Sequence, residues 1–138
     1  MRKLLFLIAI LVLTPCLHNA GGRGSVPDPG IIDGCRVLYD DLGLSRYRVP
    51  YDAFEVAYKG YGKITRKKKH ILTFIDFSKP STDRRMYVID MDQRRMLFRT
   101  HVAHGRNSGE NYAVSFSNTP GSYKSSLGFY LTDATYIG

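Results

Sequence analysis

The 138-residue chain has no tryptophan, two cysteines and no apolar run longer than ten residues. Two thiols are too few for a disulfide-stapled mini-protein or a four-cysteine zinc site. Ten apolar residues cover about half of a bilayer core as a helix. No segment recurs at a fixed period, which removes solenoids and propellers. Acid is scarce as well: 12 Asp and Glu stand against 20 Lys and Arg, a formal net charge of +8. What is present suits one globular domain. Hydrophobic residues make up 43% and charged residues 23%, which argues against wholesale disorder. Ten tyrosines and seven phenylalanines supply the bulky core material that tryptophan does not.

The longest apolar run lies near the start of the chain. Met1-Arg2-Lys3 is followed by Leu4 to Leu13, and Thr14-Pro15 ends the run before the small residues Ala20-Gly21-Gly22. A basic start, a short apolar stretch and a small-residue exit are the layout of a secretory signal peptide. Residues 1–22 are therefore expected to be removed, with cleavage after Ala20 or Gly22, although His18 makes the first site imperfect. Two alternatives stand beside this reading. The run could stay as an anchor, for which it is short. Lipid could be attached at Cys16, for which Pro15 is a poor neighbour. Export to the periplasm or cell envelope removes Arg2 and Lys3 and leaves 18 basic and 12 acidic residues. Cys35 is then the single thiol, so no intramolecular disulfide can form. A protein of net charge +6 meets anionic cell wall, anionic lipid or nucleic acid, and an envelope protein encounters the first two.

Residues 21–30 hold four Gly, two Pro and one Ser, which reads as a flexible tether; residues 23–30 are its part beyond the leader. Val37, Leu38, Asp41 and Leu42 have helical spacing, and a short helix over Cys35 to Leu42 is expected, ending near Gly43. Pro50 to Ile64 is a better helix. Phe54, Ala57, Tyr58 and Tyr61 form its apolar stripe, Asp52 and Glu55 sit near its positive end, and Gly60 and Gly62 weaken its last turn. Arg66-Lys67-Lys68-Lys69 is a basic run. It reads as a solvated loop first and as a contact for an acidic polymer second.

The period then changes from helical to alternating. Ile71 to Phe77 reads as a strand, and Met86 to Asp90 as another. Asp92-Gln93-Arg94 makes a tight reversal into Met96 to Val102, so these last two runs form a hairpin with Met96, Phe98, Thr100 and Val102 on one face. Asn118-Thr119-Pro120-Gly121 is a turn, and Ser126 to Thr132 a further strand. The fold class is mainly β, antiparallel, with an N-terminal helical lead-in.

The segment His101-Val102-Ala103-His104-Gly105-Arg106-Asn107-Ser108-Gly109 ends a strand and carries the densest set of polar groups. Its glycines let backbone N–H groups approach a ligand, and Arg, Asn and Ser donate to carboxylates and amides. A polar β-turn has the same composition. The segment has no carboxylate pair, no thiol, too few metal ligands and no phosphate-loop Lys-Ser/Thr.

Taken together, Ile75-Asp76-Phe77-Ser78-Lys79-Pro80-Ser81, Arg85 to Met91, Leu97 to Gly109, Ser115-Phe116-Ser117-Asn118 and Lys124-Ser125-Ser126-Leu127-Gly128-Phe129-Tyr130 resemble the murein L,D-transpeptidase (YkuD-like) catalytic domain family. Tyr51 to Tyr61 is similar to the helix that leads into that domain. The resemblance runs from about Ile31 to Gly138. It implies a partial antiparallel β-sandwich over residues 31–138, the N-terminal part of such a domain. It implies peptidoglycan stem peptides as partners, with no nucleic acid, no metal or organic cofactor, and membrane contact only through the leader. The oligomeric state is not fixed by it. In this family a Cys thiolate attacks the carbonyl between an L-centre and a D-alanine, and a His is its base. The family's Ser-x-Gly-Cys nucleophile motif and the His-Gly motif before it are not in the sequence; His104-Gly105 matches an earlier family segment. Hence no catalytic residue is assigned, and Cys35, set among Asp33, Arg36 and Asp40, reads as a structural thiol. The substrate-contacting candidates are His104, Gly105, Arg106, Asn107, Ser108, Lys124, Ser125 and Ser126. The expected function is the N-terminal portion of a secreted L,D-transpeptidase-like protein, inactive as written, and the alternative is a non-catalytic exported basic protein that binds wall polymer.

Overall fold

Short-range rules place the two helices of the lead-in. In the computed structural model, which describes residues 7–11 and 33–132, helix α1 spans Gly34–Asp41. Asp33 caps it by accepting a hydrogen bond from the Cys35 N–H at 3.0 Å. Cys35, Leu38 and Tyr39 then fall on its buried side. Gly43 takes the left-handed conformation after the helix, φ 59°, and starts a 3-10 helix over Leu44–Tyr47 that the sequence pattern did not announce. Helix α2 spans Tyr51–Lys63, entered through the extended backbone of Pro50. Its stripe is the expected one: Phe54 and Ala57 are fully buried, and Tyr58 and Tyr61 pack beside them. The helix runs through Gly60, which is buried because the Phe129 ring occupies the place of a Cβ: one built there would lie 2.0 Å from the ring.

The strands form one five-stranded sheet of order β4-β3-β2-β1-β5. They are β1 (Leu7–Leu11), β2 (Ile71–Asp76), β3 (Met86–Asp90), β4 (Arg95–Thr100) and β5 (Gly128–Leu131). Strands β2, β3 and β4 are antiparallel, with Thr73 opposite Val88 and Val88 opposite Phe98. The expected hairpin is therefore present. Its alternation is not continuous: a register shift sets Ile89 against Met96 and leaves Leu97 over. A bulge of this kind turns Met96 to the opposite face from Phe98 and Thr100, correcting the single-face reading of that run. Strand β1 comes from the apolar run Leu4 to Leu13; it pairs parallel with β2 and antiparallel with β5. The expected tether at 23–30 and the rest of the expected leader lie outside the described residues.

Packing is uneven on the two faces of this sheet. Leu72, Phe74, Tyr87 and Ile89 point to the helices and join Cys35, Leu38, Tyr39, Phe54 and Ala57 in one buried cluster. Phe74 and Tyr87 stack at 4.6 Å with their planes 11° apart, a contact adding about 0.5–1.5 kcal/mol to burial. On the other face Ile75 and Phe77 are covered by Ala113 and Phe116 of the long loop between β4 and β5. On that face Thr73 and Val88 are also buried, whereas Phe98, on β4, is 59% exposed. This is the mainly-β domain with a helical lead-in that the pattern predicts. Among the described residues no helix is long and apolar enough to cross a membrane.

Candidate functional site

The loop region that carries the candidate residues is organised by one buried arginine. Arg85 sits just before β3 with no exposed surface. Its Nη1 donates to the Lys79 carbonyl at 2.8 Å, and its Nε and Nη2 donate to the Val102 carbonyl at 3.2 and 3.0 Å. Nη2 also lies 2.7 Å from His104 Nδ1. A guanidinium only donates, so Nδ1 is the acceptor and the ring proton is on Nε2, which donates to the Gly109 carbonyl at 3.0 Å. Burial lowers the Arg85 pKa from its ordinary value, and the Asp76 charge works the other way. Beside it Lys79 Nζ donates to the Tyr47 carbonyl and the Tyr87 hydroxyl at 2.8 Å each, and stands 3.3 Å from Asp76 Oδ2.

Two loops are then tied across each other. Ser108, also without exposed surface, accepts from the Ser125 N–H at 2.8 Å, and Ser125 Oγ accepts from the Gly105 N–H at 3.0 Å. The loops approach so closely that a Cβ on Gly105 would lie 2.5 Å from the Tyr123 carbonyl oxygen. The structure thus brings His104, Gly105, Ser108 and Ser125 together, but with their polar atoms turned on each other. Ser126 Oγ likewise donates inward, to the Ser117 carbonyl at 3.2 Å. Arg106 and Asn107 stand at the surface. The Arg106 guanidinium lies 3.8 Å over the Tyr123 ring, and Asn107 Nδ2 donates to the Ser122 carbonyl at 2.9 Å. Lys124 is half-buried beside them.

Cys35 is elsewhere. It is 2% exposed, within the cluster under the helices, whereas the loop residues Ala113 and Phe116 cover the opposite face. Burial pushes its thiol above the ordinary value; the Tyr51 hydroxyl pulls against this, and Asp33 and Glu55 add to the rise. An activated thiol needs the reverse setting.

A family model of the L,D-transpeptidase catalytic domain matches residues 45–138. The chain belongs to this family. No curated protein and no solved structure matches the chain in the corresponding searches. Membership implies, at a coarse level, transferase chemistry and peptidoglycan as the polymer concerned. The match covers α2, β2 to β5 and both tied loops, but α1 and Cys35 precede it. In this L,D-transpeptidase-family domain the residues that composition failed to single out are Arg85, Asp76 and Lys79. Arg84 and Arg85 are adjacent and alike in sequence, yet Arg84 is exposed and Arg85 is not. The signal for the buried one was its place directly before a strand, among the segments shared with the family. Among the described residues no group of three His, Cys, Asp or Glu could hold a metal ion.

Proposed function

We propose that this chain is the N-terminal portion of an exported L,D-transpeptidase-like protein of the periplasm or cell envelope, and that as written it forms no acyl-enzyme. Its role on peptidoglycan is to present a surface, Arg106, Asn107 and Lys124, that donates hydrogen bonds to the carboxylates and amides of a stem peptide. The observation that carries this reading is the position of Cys35: buried, raised in pKa, ahead of the family match and on the far side of the sheet from the tied loops. Cys16, the other cysteine, belongs to the expected leader. Positioning multiplies a reaction only when a reactive group supplies it.

The test is incubation of the purified chain with tetrapeptide-bearing muropeptides, with intact-mass detection of adducts formed with a carbapenem, a β-lactam that acylates such thiols. No D-alanine release and no adduct are expected. Release or an adduct that disappears in Cys35→Ala overturns the proposal. Wall-polymer binding without chemistry is the second reading, supported by the exposed cations Arg66, Lys68 and Arg106. Sedimentation with insoluble peptidoglycan, lost in Arg106→Ala, supports it; retention in the supernatant removes it.

A further inference from the structure

The face of the sheet turned away from the helices holds a groove of about 610 Å³ that the residues of the tied loops do not line. Its floor is Met86, Val88 and Phe98, and Thr73, Arg84 and His101 also line it. Thr73 is opposite Val88, and Val88 opposite Phe98, so the Thr73 side chain is on this face. It is 3% exposed, and its hydroxyl has no hydrogen-bond partner among the described residues. An orphaned buried hydroxyl is destabilising, and a ligand atom reaching it would relieve that. Among the described residues no Asp or Glu lines the groove, while Arg84 and His101 line its β3-entry, β4-exit end.

We propose that this groove binds a small amphiphilic carboxylate: an apolar chain across Met86, Val88 and Phe98, its carboxylate at Arg84 and His101, and a hydrogen-bonding group at the Thr73 end. The volume is that of an ordinary small-molecule site, with an apolar floor and polar side chains, Arg99, Thr100 and Thr132 among them, around it. The three strands it crosses set a span of about 10 Å from β2 to β4, the reach of a medium-length chain. A second copy of this chain is a poorer occupant. Two such faces in contact would bring the Arg84 cations of both copies together with no acid among the described lining residues, and like charges without partners oppose docking.

The test is calorimetric titration of the full chain with decanoate, decanol and ω-hydroxydecanoate. Decanoate should bind saturably, and decanol about threefold to tenfold more weakly because it lacks the charge. Arg84→Gln should erase that difference between the two. Phe98→Asp should weaken every probe by about tenfold or more, and as Phe98 is mostly exposed the variant keeps its fold, checked by circular dichroism. ω-Hydroxydecanoate should bind more tightly than decanoate in the natural chain and no more tightly in Thr73→Val. Equal binding of decanol and decanoate overturns the carboxylate assignment. Binding untouched by Phe98→Asp overturns the site. A hydroxyl advantage that survives Thr73→Val overturns the role of Thr73. A dimer in sedimentation that Phe98→Asp dissociates overturns the proposal in favour of self-association.

Discussion

The two faces of one sheet are built from alternate residues of the same strands, yet they differ in nearly every physical respect. Under the helices, Leu72, Phe74, Tyr87 and Ile89 are no more than 1% exposed. On the other side, Thr73, Met86, Val88 and Phe98 line a groove, and among the described residues Ile75 and Phe77 have a loop over them. The difference teaches what completes a face. Helices α1 and α2 supply a continuous apolar surface at close range, which a β-sheet face requires. The long loop supplies two apolar side chains and fastens the rest of itself with hydrogen bonds to Arg85, Ser108 and Ser125.

That contrast can be broken at its strong side first. Phe74→Ala should cost about 3–5 kcal/mol in urea unfolding, because it opens a cavity among Phe54 and Tyr87, while Phe98→Ala should cost less than about 1 kcal/mol. Equal costs would mean that Phe98 is covered in solution. Next comes the loop side. Arg85→Met keeps the length of the side chain but strips the Lys79 and Val102 carbonyls and His104 of their donor. A loss of about 2–3 kcal/mol is expected, with faster hydrogen exchange at the Gly105 and Ser125 amides and little change in β2 and β3. Uniformly faster exchange would show that the loop and sheet open as one unit.

Gly105→Ala sharpens the same point with less force. Its Cβ meets backbone on the opposite loop, so the loops must separate, at about 1–3 kcal/mol. The smallest effect lies at the outer edge of the helical side. The Tyr51 hydroxyl, 2.6 Å from Asp33 Oδ2, and the Cys35 N–H hold the Asp33 carboxyl below its ordinary value. A carboxyl lowered in the folded state contributes stability above its unfolded pKa of about 3.9 and loses it as pH falls through the folded value. The urea midpoint should therefore drop slightly in that acidic window, and Asp33→Asn should remove that part of the pH dependence. An unchanged profile in the variant would show the contact to be without energetic weight in solution.

How much of this could be read beforehand divides along the same line. Helical spacing of Phe54, Ala57, Tyr58 and Tyr61 located α2, and alternation located β2, β3 and β4, because burial on a regular element leaves a periodic trace. The bulge at Leu97 left none, since Met96 and Phe98 are both apolar and both satisfy an alternating pattern whichever face they meet. The 3-10 helix after Gly43 is too short to show a period. At the candidate site the glycines and serines announced a tight, polar loop pair. What they could not announce was direction: Ser108 and Ser125 face each other, and His104 uses both ring nitrogens on Arg85 and Gly109. Those choices depend on a buried guanidinium whose neighbour in sequence has the same chemistry and lies in water.

The meeting of Gly60 with Phe129 has a consequence for the time course of folding. Helix α2 can form early from local contacts, but at Gly60 it carries a gap shaped for a ring that lies half the chain length away. Closing so long a loop has an entropic cost before the contact returns anything, and contacts of this range slow folding. During synthesis Phe129 emerges long after α2 has left the ribosome. The ring is thus a late-arriving plug. A larger residue at 60 would leave the early helix unharmed and strike only at the last step, so its signature would be an unchanged fast phase followed by a missing slow one.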